Sequence, residues 1–180
     1  MSDATAPADT STAAWKDAVF AALKGTGVTQ VNYVPDAGHA RLISLAEADP
    51  EITTVVLTTE EEGVAASAGA WLGGARAVLL MQSSGVGNCI NMLSLVEACR
   101  FPMLMLVTMR GEWAEFNPWQ VPMSRATETV LAAMGVRVVR VERAEEAAEV
   151  VSAAADLAYG SEQAVAVLFA QRLIGRKVWK

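Results

Sequence analysis

Three consecutive carboxylates, Glu60, Glu61 and Glu62, open the segment of this chain that is best suited to chemistry. They follow a short apolar run and begin a stretch rich in alanine and glycine. They therefore stand at a predicted helix start, where the helix macrodipole favours negative charge. An exposed first turn with good capping electrostatics would account for them. Since three acids exceed what a cap needs, a second interpretation stays open, in which one of them activates a ligand.

The helix predicted over Glu61 to Leu72 carries little side-chain bulk, because Gly63, Gly69 and several alanines lie within it. A glycine inside a helix costs about 1 kcal/mol relative to alanine, so these glycines predict a close approach to the helix backbone. The apolar strand Ala77 to Met81 follows and leads into a predicted glycine turn, Gln82 to Asn88. Such a turn lies at the carboxyl edge of a parallel sheet, where α/β proteins bind ligands.

Strands and helices alternate along the whole chain. Continuous apolar strands indicate a single open parallel sheet that is covered by helices on both faces. The predicted strands are Val31 to Val34, Thr53 to Leu57, Ala77 to Met81, Met103 to Thr108, Arg137 to Val141 and Ala164 to Phe169. The predicted helices are one from Ser11 or Thr12 to about Lys24, then Ala40 to Ala48, Glu61 to Leu72, Asn88 to Cys99, Ser124 to Met134 and Ala144 to Tyr159.

Several single residues follow predicted strands and so lie at the same edge. His39, the only histidine, and Asp36 come after the first strand, in a segment that also reads as an ordinary surface turn. Arg110 begins a long aromatic loop and is a candidate anchor for an anionic ligand, because a guanidinium binds oxyanions through paired hydrogen bonds. The alternative is that Arg110 pairs with Glu112 or Glu115.

Four stretches of the sequence carry a family resemblance. They are VPDAGHARLI (Val34 to Ile43), TEEEG (Thr59 to Gly63), MQSSGVGN (Met81 to Asn88), and MRGEW followed by NPWQVPM (Met109 to Met123). This set resembles the pyrimidine-binding domain of thiamine diphosphate enzymes and, more narrowly, the alpha subunits of sulfopyruvate decarboxylases, with phosphonopyruvate decarboxylases as near relatives. In that domain a strand ends in a glutamate and a glycine follows nine positions later, as Glu60 and Gly69 do.

The resemblance implies a thiamine diphosphate-binding fold and a role for each site residue. Glu60 would be the catalytic acid that hydrogen-bonds N1′ of the aminopyrimidine ring and favours its imino tautomer. The implied cofactor-binding residues are Glu60, Pro35, Ser84, Gly85 and Asn88. The implied substrate-binding residues are His39, Asp36, Gln82, Ser83 and Arg110. The reaction would be decarboxylation of sulfopyruvate to sulfoacetaldehyde, or of phosphonopyruvate to phosphonoacetaldehyde.

The diphosphate half of these enzymes carries a Gly-Asp-Gly motif that binds magnesium, and no aspartate of this chain follows a glycine. The resemblance therefore implies that Mg²⁺ and the diphosphate are held by a beta subunit of similar size, in a heterotetramer or larger assembly. We expect no metal ligands in this chain. Another decarboxylase or carboligase with the same cofactor remains an alternative, as does a non-catalytic α/β module that binds a partner.

Composition bounds the remaining possibilities. The 180 residues suit one domain, predicted over residues 13 to 180 after a disordered segment of residues 1 to 12. A net charge of −6 without basic clusters argues against nucleic acid as a partner. No apolar run reaches the roughly 18 residues of a spanning helix, and no signal peptide is recognisable, so we expect a cytoplasmic protein. The two cysteines predict reduced thiols, and Ile90 breaks a dinucleotide-binding glycine motif.

Overall fold

A computed structural model describes residues 10 to 176 of the chain. The predicted disordered segment falls almost wholly outside this range, and the first helix already begins at Thr10. The extent of the domain over residues 13 to 180 stays a prediction. Among the helices of the described range, none is both long and apolar enough to cross a membrane.

Within that range, six parallel strands form one sheet. The strands are β1 Val28–Tyr33, β2 Thr53–Val56, β3 Arg76–Gln82, β4 Met103–Thr108, β5 Arg137–Val141 and β6 Ala164–Phe169. Their order is β2-β1-β3-β4-β6-β5, so the direction of winding reverses between β1 and β3. In open α/β sheets the crevice outside the carboxyl ends at such a switch point is the usual ligand site.

Helices cover both faces of the sheet. They are α1 Thr10–Gly25, α2 Ala40–Ala48, α3 Glu60–Leu72, α4 Ser83–Cys89, α5 Leu93–Cys99, α6 Gln120–Ala133, α7 Ala147–Gly160, which a 3-10 turn at Ala144–Glu146 precedes, and the short α8 Gln171–Ile174. One apolar core lies between the sheet and α1, α2 and α7, and a second lies between the sheet and α3 to α6. The predicted open parallel sheet with helices on both faces is confirmed.

Successive side chains along a strand alternate between the two apolar cores. In β3, Val78 and Leu80 belong to the first core, whereas Leu79 and Met81 belong to the second. Successive side chains of a strand point to opposite faces, so a strand buried on both sides reads as one continuous apolar run. The apolar runs therefore predicted these strands well.

The predicted glycine turn at Gln82 to Asn88 is wrong, because Ser83–Cys89 forms the helix α4. Glycine is needed here for space and not for a turn. A side chain on Gly85 would place its Cβ 2.4 Å from a carboxylate oxygen of Glu60, and one on Gly87 would meet the sulfur of Met123 at 3.1 Å. The helix predicted from Asn88 to Cys99 is accordingly divided into α4 and α5.

Other differences concern the ends of elements. Helix α6 begins at Gln120, four residues before the predicted start, and contains Pro122 in its first turn. Proline is tolerated there because the first N–H groups of a helix have no partner within it. Strand β1 begins three residues early, at Val28, and the short helix α8 was not predicted.

The close approach predicted for the glycines of α3 holds at one of them. A Cβ on Gly63 would lie 2.4 Å from a methyl carbon of Leu79, so this glycine lets α3 pack closely on the sheet. Around Gly69, the described chain places nothing within 4 Å of such an atom. The prediction is therefore correct for Gly63, whereas for Gly69 it stays a prediction.

Candidate active site

The three acids at the start of α3 divide into different roles. Glu62 caps the helix, since its carboxylate accepts hydrogen bonds from the backbone N–H of Thr58 at 2.8 Å and of Thr59 at 3.4 Å. Glu61 is exposed, whereas Glu60 is only 9% exposed. Capping therefore accounts for Glu62 and leaves the buried carboxylate of Glu60 to be explained.

The Glu60 carboxylate lies against α4. Its Oε2 accepts a hydrogen bond of 2.8 Å from the side-chain amide of Asn88. Its other oxygen packs where a side chain of Gly85 would stand. Across the described chain no donor reaches this Oε1, although a carboxylate accepts several hydrogen bonds. The site thus orients Glu60 through one oxygen and leaves the other able to accept from a ligand.

A row of polar side chains continues from there along the carboxyl ends of the strands. Ser84 donates to the amide oxygen of Gln82 at 3.0 Å, and Gln82 donates to Asp36 at 2.9 Å. The second oxygen of Asp36 accepts from the Thr108 hydroxyl at 2.6 Å. The Gln82 to Asp36 bond joins the end of β3 to the loop after β1, so it spans the switch point of the sheet.

Asp36 remains ionised although it is partly buried. Burial acts to raise the pKa of Asp36, but the neighbouring His39 ring and the hydrogen bonds from Thr108 and Gln82 outweigh it and hold that pKa below its usual value. Gly38 completes the turn, because a Cβ there would lie 2.7 Å from a methyl carbon of Thr108. The loop is therefore shaped around a fixed carboxylate.

His39 is not a surface residue, which corrects one of the two readings of its segment. It is 1% exposed at the start of α2, and its Nε2 lies 3.2 Å from the carbonyl oxygen of Met81 and 3.0 Å from that of Leu106. Two carbonyl acceptors assign the proton to Nε2. Burial lowers the pKa of His39 despite the opposing charge of Asp36. Through these two carbonyl groups the buried ring links β3 to β4.

Arg110 forms an ion pair with Glu115, which is one of the two alternatives that the sequence left open for this arginine. Its Nε and Nη2 donate to the two oxygens of Glu115, both at 2.7 Å, and the side chains are 11% and 3% exposed. The backbone N–H of Arg110 donates to the hydroxyl of Ser83 at 3.1 Å. Ser83 is fully buried, so it anchors the start of the aromatic loop.

Glu115 is the centre of that loop. Besides Arg110, it accepts from the backbone N–H of Gly111 at 3.2 Å and of Asn117 at 3.0 Å, and from the side chain of Gln171 at 2.8 Å. These donors, with Arg110 the largest contribution, lower the pKa of Glu115 to about 2. Gln171 in turn accepts from the loop backbone, which ties the loop to the end of β6.

Asp36 and Arg110 line a cavity of about 170 Å³ at this edge. Its walls also include Lys16 on α1, Thr108 at the end of β4, and Arg176. The sequence analysis missed Lys16 and Thr108. Thr108 carried a usable signal, because a polar residue ending an apolar strand marks the carboxyl edge as Gln82 does. Lys16 carried none, since a lysine on a surface helix is ordinary.

An apolar surface adjoins the polar row on the other side. Trp119 is 82% exposed and, with Pro118, Pro122 and Met123, borders an open groove of about 720 Å³ that reaches Ser84. Exposed contiguous apolar patches of this kind mark interaction sites in soluble proteins. Ser84 is the member of the polar row that lines the groove, and the next residue, Gly85, lies against the Glu60 carboxylate.

The structure thus gathers the predicted residues into two groups. Glu60, Gly85 and Asn88 form one cluster, and Ser84, Gln82 and Asp36 form the adjoining polar row. Pro35 is exposed in the loop just before Asp36, and His39 and Ser83 lie buried below the edge.

Neither a metal cluster nor a disulfide is present in the described part of the chain. No group of three or more histidine, cysteine, aspartate or glutamate side chains is arranged there to hold a metal ion. Cys89 and Cys99 are free thiols. Burial, with the charges of Glu60 and Glu61, raises the pKa of Cys89 to about 12, so this thiol is unreactive.

Comparison with known families agrees with this geometry. Residues 14 to 117 match the model of the thiamine pyrophosphate enzyme N-terminal TPP binding domain. The chain belongs to this family. The residues matched include Glu60, the polar row and the loop up to Asn117, so the family region contains the whole cluster.

Individual relatives within this family are similar to the chain over different shares of its length. The chain is 37% identical to the sulfopyruvate decarboxylase subunit alpha of Methanothermobacter thermautotrophicus, over 84% of this chain and 93% of the relative. The corresponding subunit of Methanococcus maripaludis is 34% identical over 84% of this chain and 92% of the relative. The phosphonopyruvate decarboxylase of Streptomyces viridochromogenes is 39% identical over 63% of this chain, which spans 29% of that longer protein.

A solved structure confirms the fold alone. The chain superimposes on a 2-oxoglutarate:ferredoxin oxidoreductase from Magnetococcus marinus with a TM-score of 0.73 at 17% identity, covering 92% of this chain and 33% of that one. The predicted thiamine diphosphate-binding fold is therefore confirmed by both the family match and the architecture.

Proposed function

We propose that this chain is the alpha subunit of a two-chain thiamine diphosphate-dependent decarboxylase that converts sulfopyruvate to sulfoacetaldehyde and carbon dioxide. The observation that carries the proposal is the buried Glu60 carboxylate, oriented by Asn88 and with one oxygen left to accept from a ligand. The similarity to sulfopyruvate decarboxylase alpha subunits over nearly their whole length supports the choice of substrate.

The residues around Glu60 fit an aminopyrimidine ring. Glu60 would accept a hydrogen bond from the ring and favour its imino tautomer, and Gly85 keeps the space beside the carboxylate clear of a side chain. Asn88, Ser84 and Pro35 are the other residues proposed to hold the cofactor. When bound, thiamine diphosphate supplies the electron sink for loss of carbon dioxide from a 2-oxo acid.

Substrate would bind along the polar row. Asp36 and Gln82 present fixed polar groups, while His39 and Ser83 would act from below by holding the strand ends and the loop in place. Arg110 gives two of its five N–H groups to Glu115 and so has three left for an anionic substrate.

The metal and the diphosphate would be held by a beta subunit of similar size with a Gly-Asp-Gly motif. Two observations support this division. No aspartate here follows a glycine. The apolar groove around Trp119 offers a docking surface that reaches Ser84 of the polar row. We propose a heterotetramer or larger assembly in the cytoplasm, in which Mg²⁺ and the cofactor are shared between the two chains.

Phosphonopyruvate is the second candidate substrate. The 39% identity to a phosphonopyruvate decarboxylase favours it, although this chain spans only 29% of that protein. Sulfonate and phosphonate groups are recognised by the same kind of donor, so residues at this edge would accept either. Another decarboxylase or carboligase activity with the same cofactor would use the same cluster.

Reconstitution tests the proposal. The chain should be purified alone and with a Gly-Asp-Gly partner chain, then supplied with thiamine diphosphate, Mg²⁺ and, in turn, sulfopyruvate, phosphonopyruvate and pyruvate. We expect turnover only with the partner, and fastest with sulfopyruvate. Product identity by mass spectrometry separates a decarboxylase from a carboligase. Full activity of the chain alone would overturn the split-site proposal, and activity that survives replacement of Glu60 would favour a non-catalytic module.

A further inference from the structure

The cavity beside the polar row contains a lysine that forms no ion pair in the described part of the chain. Lys16 lines it together with Asp36, Thr108 and Arg110. Throughout the described range, no carboxylate lies within ion-pair distance of the Lys16 ammonium. Lys24 shows the usual contrast, because Asp49 and Glu51 both bind its ammonium. Lys16 is thus a cation that no carboxylate of the described chain binds directly.

The environment of Lys16 makes that charge costly. The side chain is partly buried, and its ammonium lies 5.4 Å from the centroid of the Trp15 ring. Burial lowers the pKa of Lys16, and the charge of Asp36 only partly opposes this effect. An ammonium withdrawn from water gains most from a bound anion that accepts its hydrogen bonds. The geometry therefore favours an anionic ligand in the cavity.

Arg110, which also lines the cavity, differs from Lys16 because its guanidinium forms an ion pair. Glu115 engages the guanidinium through two hydrogen bonds, so the pair is close to neutral as a unit. Asp36 also faces the cavity, but both of its oxygens already accept hydrogen bonds from Gln82 and Thr108. Among these three groups, only the ammonium forms neither an ion pair nor a hydrogen bond within the described chain.

We propose that Lys16 binds the second anionic group of the substrate in this cavity and so selects 2-oxo acids that carry a sulfonate or a comparable anion. Lys16 is then a specificity-determining residue, with the spare N–H groups of Arg110 as secondary donors. The identity of the substrate rests on the proposed function, but binding of the anion to Lys16 does not. The volume of about 170 Å³ restricts the ligand to a small molecule.

A binding measurement on the full chain tests the inference without catalysis. The probe is 3-sulfopropanoate, a three-carbon sulfonate that lacks the reactive 2-oxo group, and propanoate is the reference. Calorimetry should show that Lys16→Gln weakens 3-sulfopropanoate binding by about tenfold or more, which corresponds to loss of a charge-assisted hydrogen bond. Propanoate binding should change by less than about threefold, because that probe lacks the second anion.

Two variants control this result. Lys16→Arg keeps the positive charge and should restore binding to within about threefold of the natural chain. Lys24→Gln removes a lysine of the same helix that lies outside the cavity and should leave binding unchanged. Circular dichroism and thermal unfolding confirm that each variant folds. Equal binding by Lys16→Gln and the natural chain, or no binding by the natural chain, would overturn the inference.

The assembled enzyme separates this inference from the proposed function. With a partner chain, Lys16→Gln should raise the KM for sulfopyruvate about tenfold with little change in kcat, while the KM for pyruvate stays within about threefold. If the natural assembly turns over no 2-oxo acid, the proposed function fails and the probe titration still decides the role of Lys16. If it turns over sulfopyruvate and Lys16→Gln leaves the KM unchanged, only the role of Lys16 fails.

Discussion

Glu60 and Glu115 are two largely buried carboxylates at the same edge of the sheet, and they are held in opposite ways. Glu115 accepts from Arg110, Gly111, Asn117 and Gln171, and Arg110 contributes two of these bonds. Glu60 accepts one hydrogen bond, from Asn88. The first carboxylate is saturated with donors, whereas the second retains an oxygen for a ligand.

This difference separates structural from functional acids. A carboxylate surrounded by donors stays ionised and organises a loop, but it has no capacity left for a ligand. A carboxylate with one hydrogen-bonded oxygen is held in a fixed orientation, while its second oxygen has no hydrogen-bond donor. Its unengaged oxygen is available to accept a hydrogen bond from a ligand. The comparison therefore predicts that changes at Glu60 affect catalysis and changes at Glu115 affect stability.

The largest effect is expected for Glu60→Gln. The variant keeps the shape of the side chain but loses the charge that favours the active tautomer of the cofactor. We expect kcat of the assembled enzyme to fall by about 10² to 10⁴, the range typical of a lost proton-transfer group. Hydrogen exchange at C2 of bound thiamine diphosphate should slow in parallel, while the free energy of unfolding of the chain changes little.

Glu61→Gln and Glu62→Gln are the matched controls for this prediction. Glu62 caps α3 through its side-chain oxygen, and a glutamine amide oxygen accepts the same hydrogen bonds, so Glu62→Gln should cost less than about 1 kcal/mol of stability and spare C2 exchange. Loss of exchange in either control together with its retention in Glu60→Gln would assign the activating role to another acid of the triplet.

Gly85→Ala probes the same carboxylate through the backbone beneath it. The added Cβ would lie 2.4 Å from Oε1 of Glu60, so the carboxylate must move away. A flexible side chain moves at small cost in stability, but displacement of a catalytic group by about 1 Å can lower the rate by roughly 10². We expect activity to fall at least tenfold with the unfolding midpoint nearly unchanged, as measured by steady-state kinetics and thermal unfolding.

Gly69→Ala is the control in the neighbouring helix. Within the described chain nothing lies within 4 Å of the added Cβ, so this variant should stabilise the isolated chain by about 0.5 to 1 kcal/mol. If Gly69→Ala were instead strongly destabilising in the isolated chain, the packing of α3 assumed for both variants would be wrong.

The sequence predicted the sheet and most strands because apolar runs report burial on both faces. It also singled out Glu60 as the activating acid, through its place near the end of a strand. Glu60 is the least exposed of the three acids, and its catalytic role stays a prediction. It failed at the glycines of α4, which looked like a turn. Their reason lies in the contact of Gly85 with Glu60, a side chain far away in sequence.

The structural role of Glu115 could not be predicted from the sequence either. The sequence left the pairing of Arg110 open between Glu112 and Glu115, and only the fold shows that Glu115 meets Arg110 while Glu112 meets Arg140 on β5. Lys16 was missed for a related reason, since its place in the cavity depends on how α1 lies across the strand ends. Long-range contacts of this kind leave no local pattern.

Glu115→Gln should affect stability more than catalysis. The variant keeps one carbonyl acceptor but loses the ionic partner of Arg110, and we expect a loss of about 1.5 to 3 kcal/mol in the free energy of unfolding. Since folding lowers the pKa of Glu115 from 4.5 to about 2, its contribution is present above pH 4.5 and is lost as the pH falls towards 2. Denaturant titrations across that range should show a smaller acid-induced loss in Glu115→Gln than in the natural chain.

The natural chain is the reference for that acid profile. An acid-induced loss of equal size in the natural chain and in Glu115→Gln would mean that Glu115 does not contribute to the acid sensitivity, and its assignment as a structural carboxylate would then be lost.

The smallest effect concerns His39, a buried titratable group that extends the comparison to nearly neutral pH. Folding lowers the pKa of His39 from 6.5, chiefly through burial. Below pH 6.5 the histidine therefore binds a proton more readily in the unfolded chain than in the folded chain. Stability should therefore fall as the pH drops below 6.5, by at most about 1.4 kcal/mol per pH unit. Because the chain has one histidine, His39→Gln should flatten the profile between pH 6.5 and 5 in denaturant titrations. A natural chain whose stability is level over this range would show that the ring is charged in the folded state, and the neutral ring proposed to join β3 and β4 would have to be abandoned.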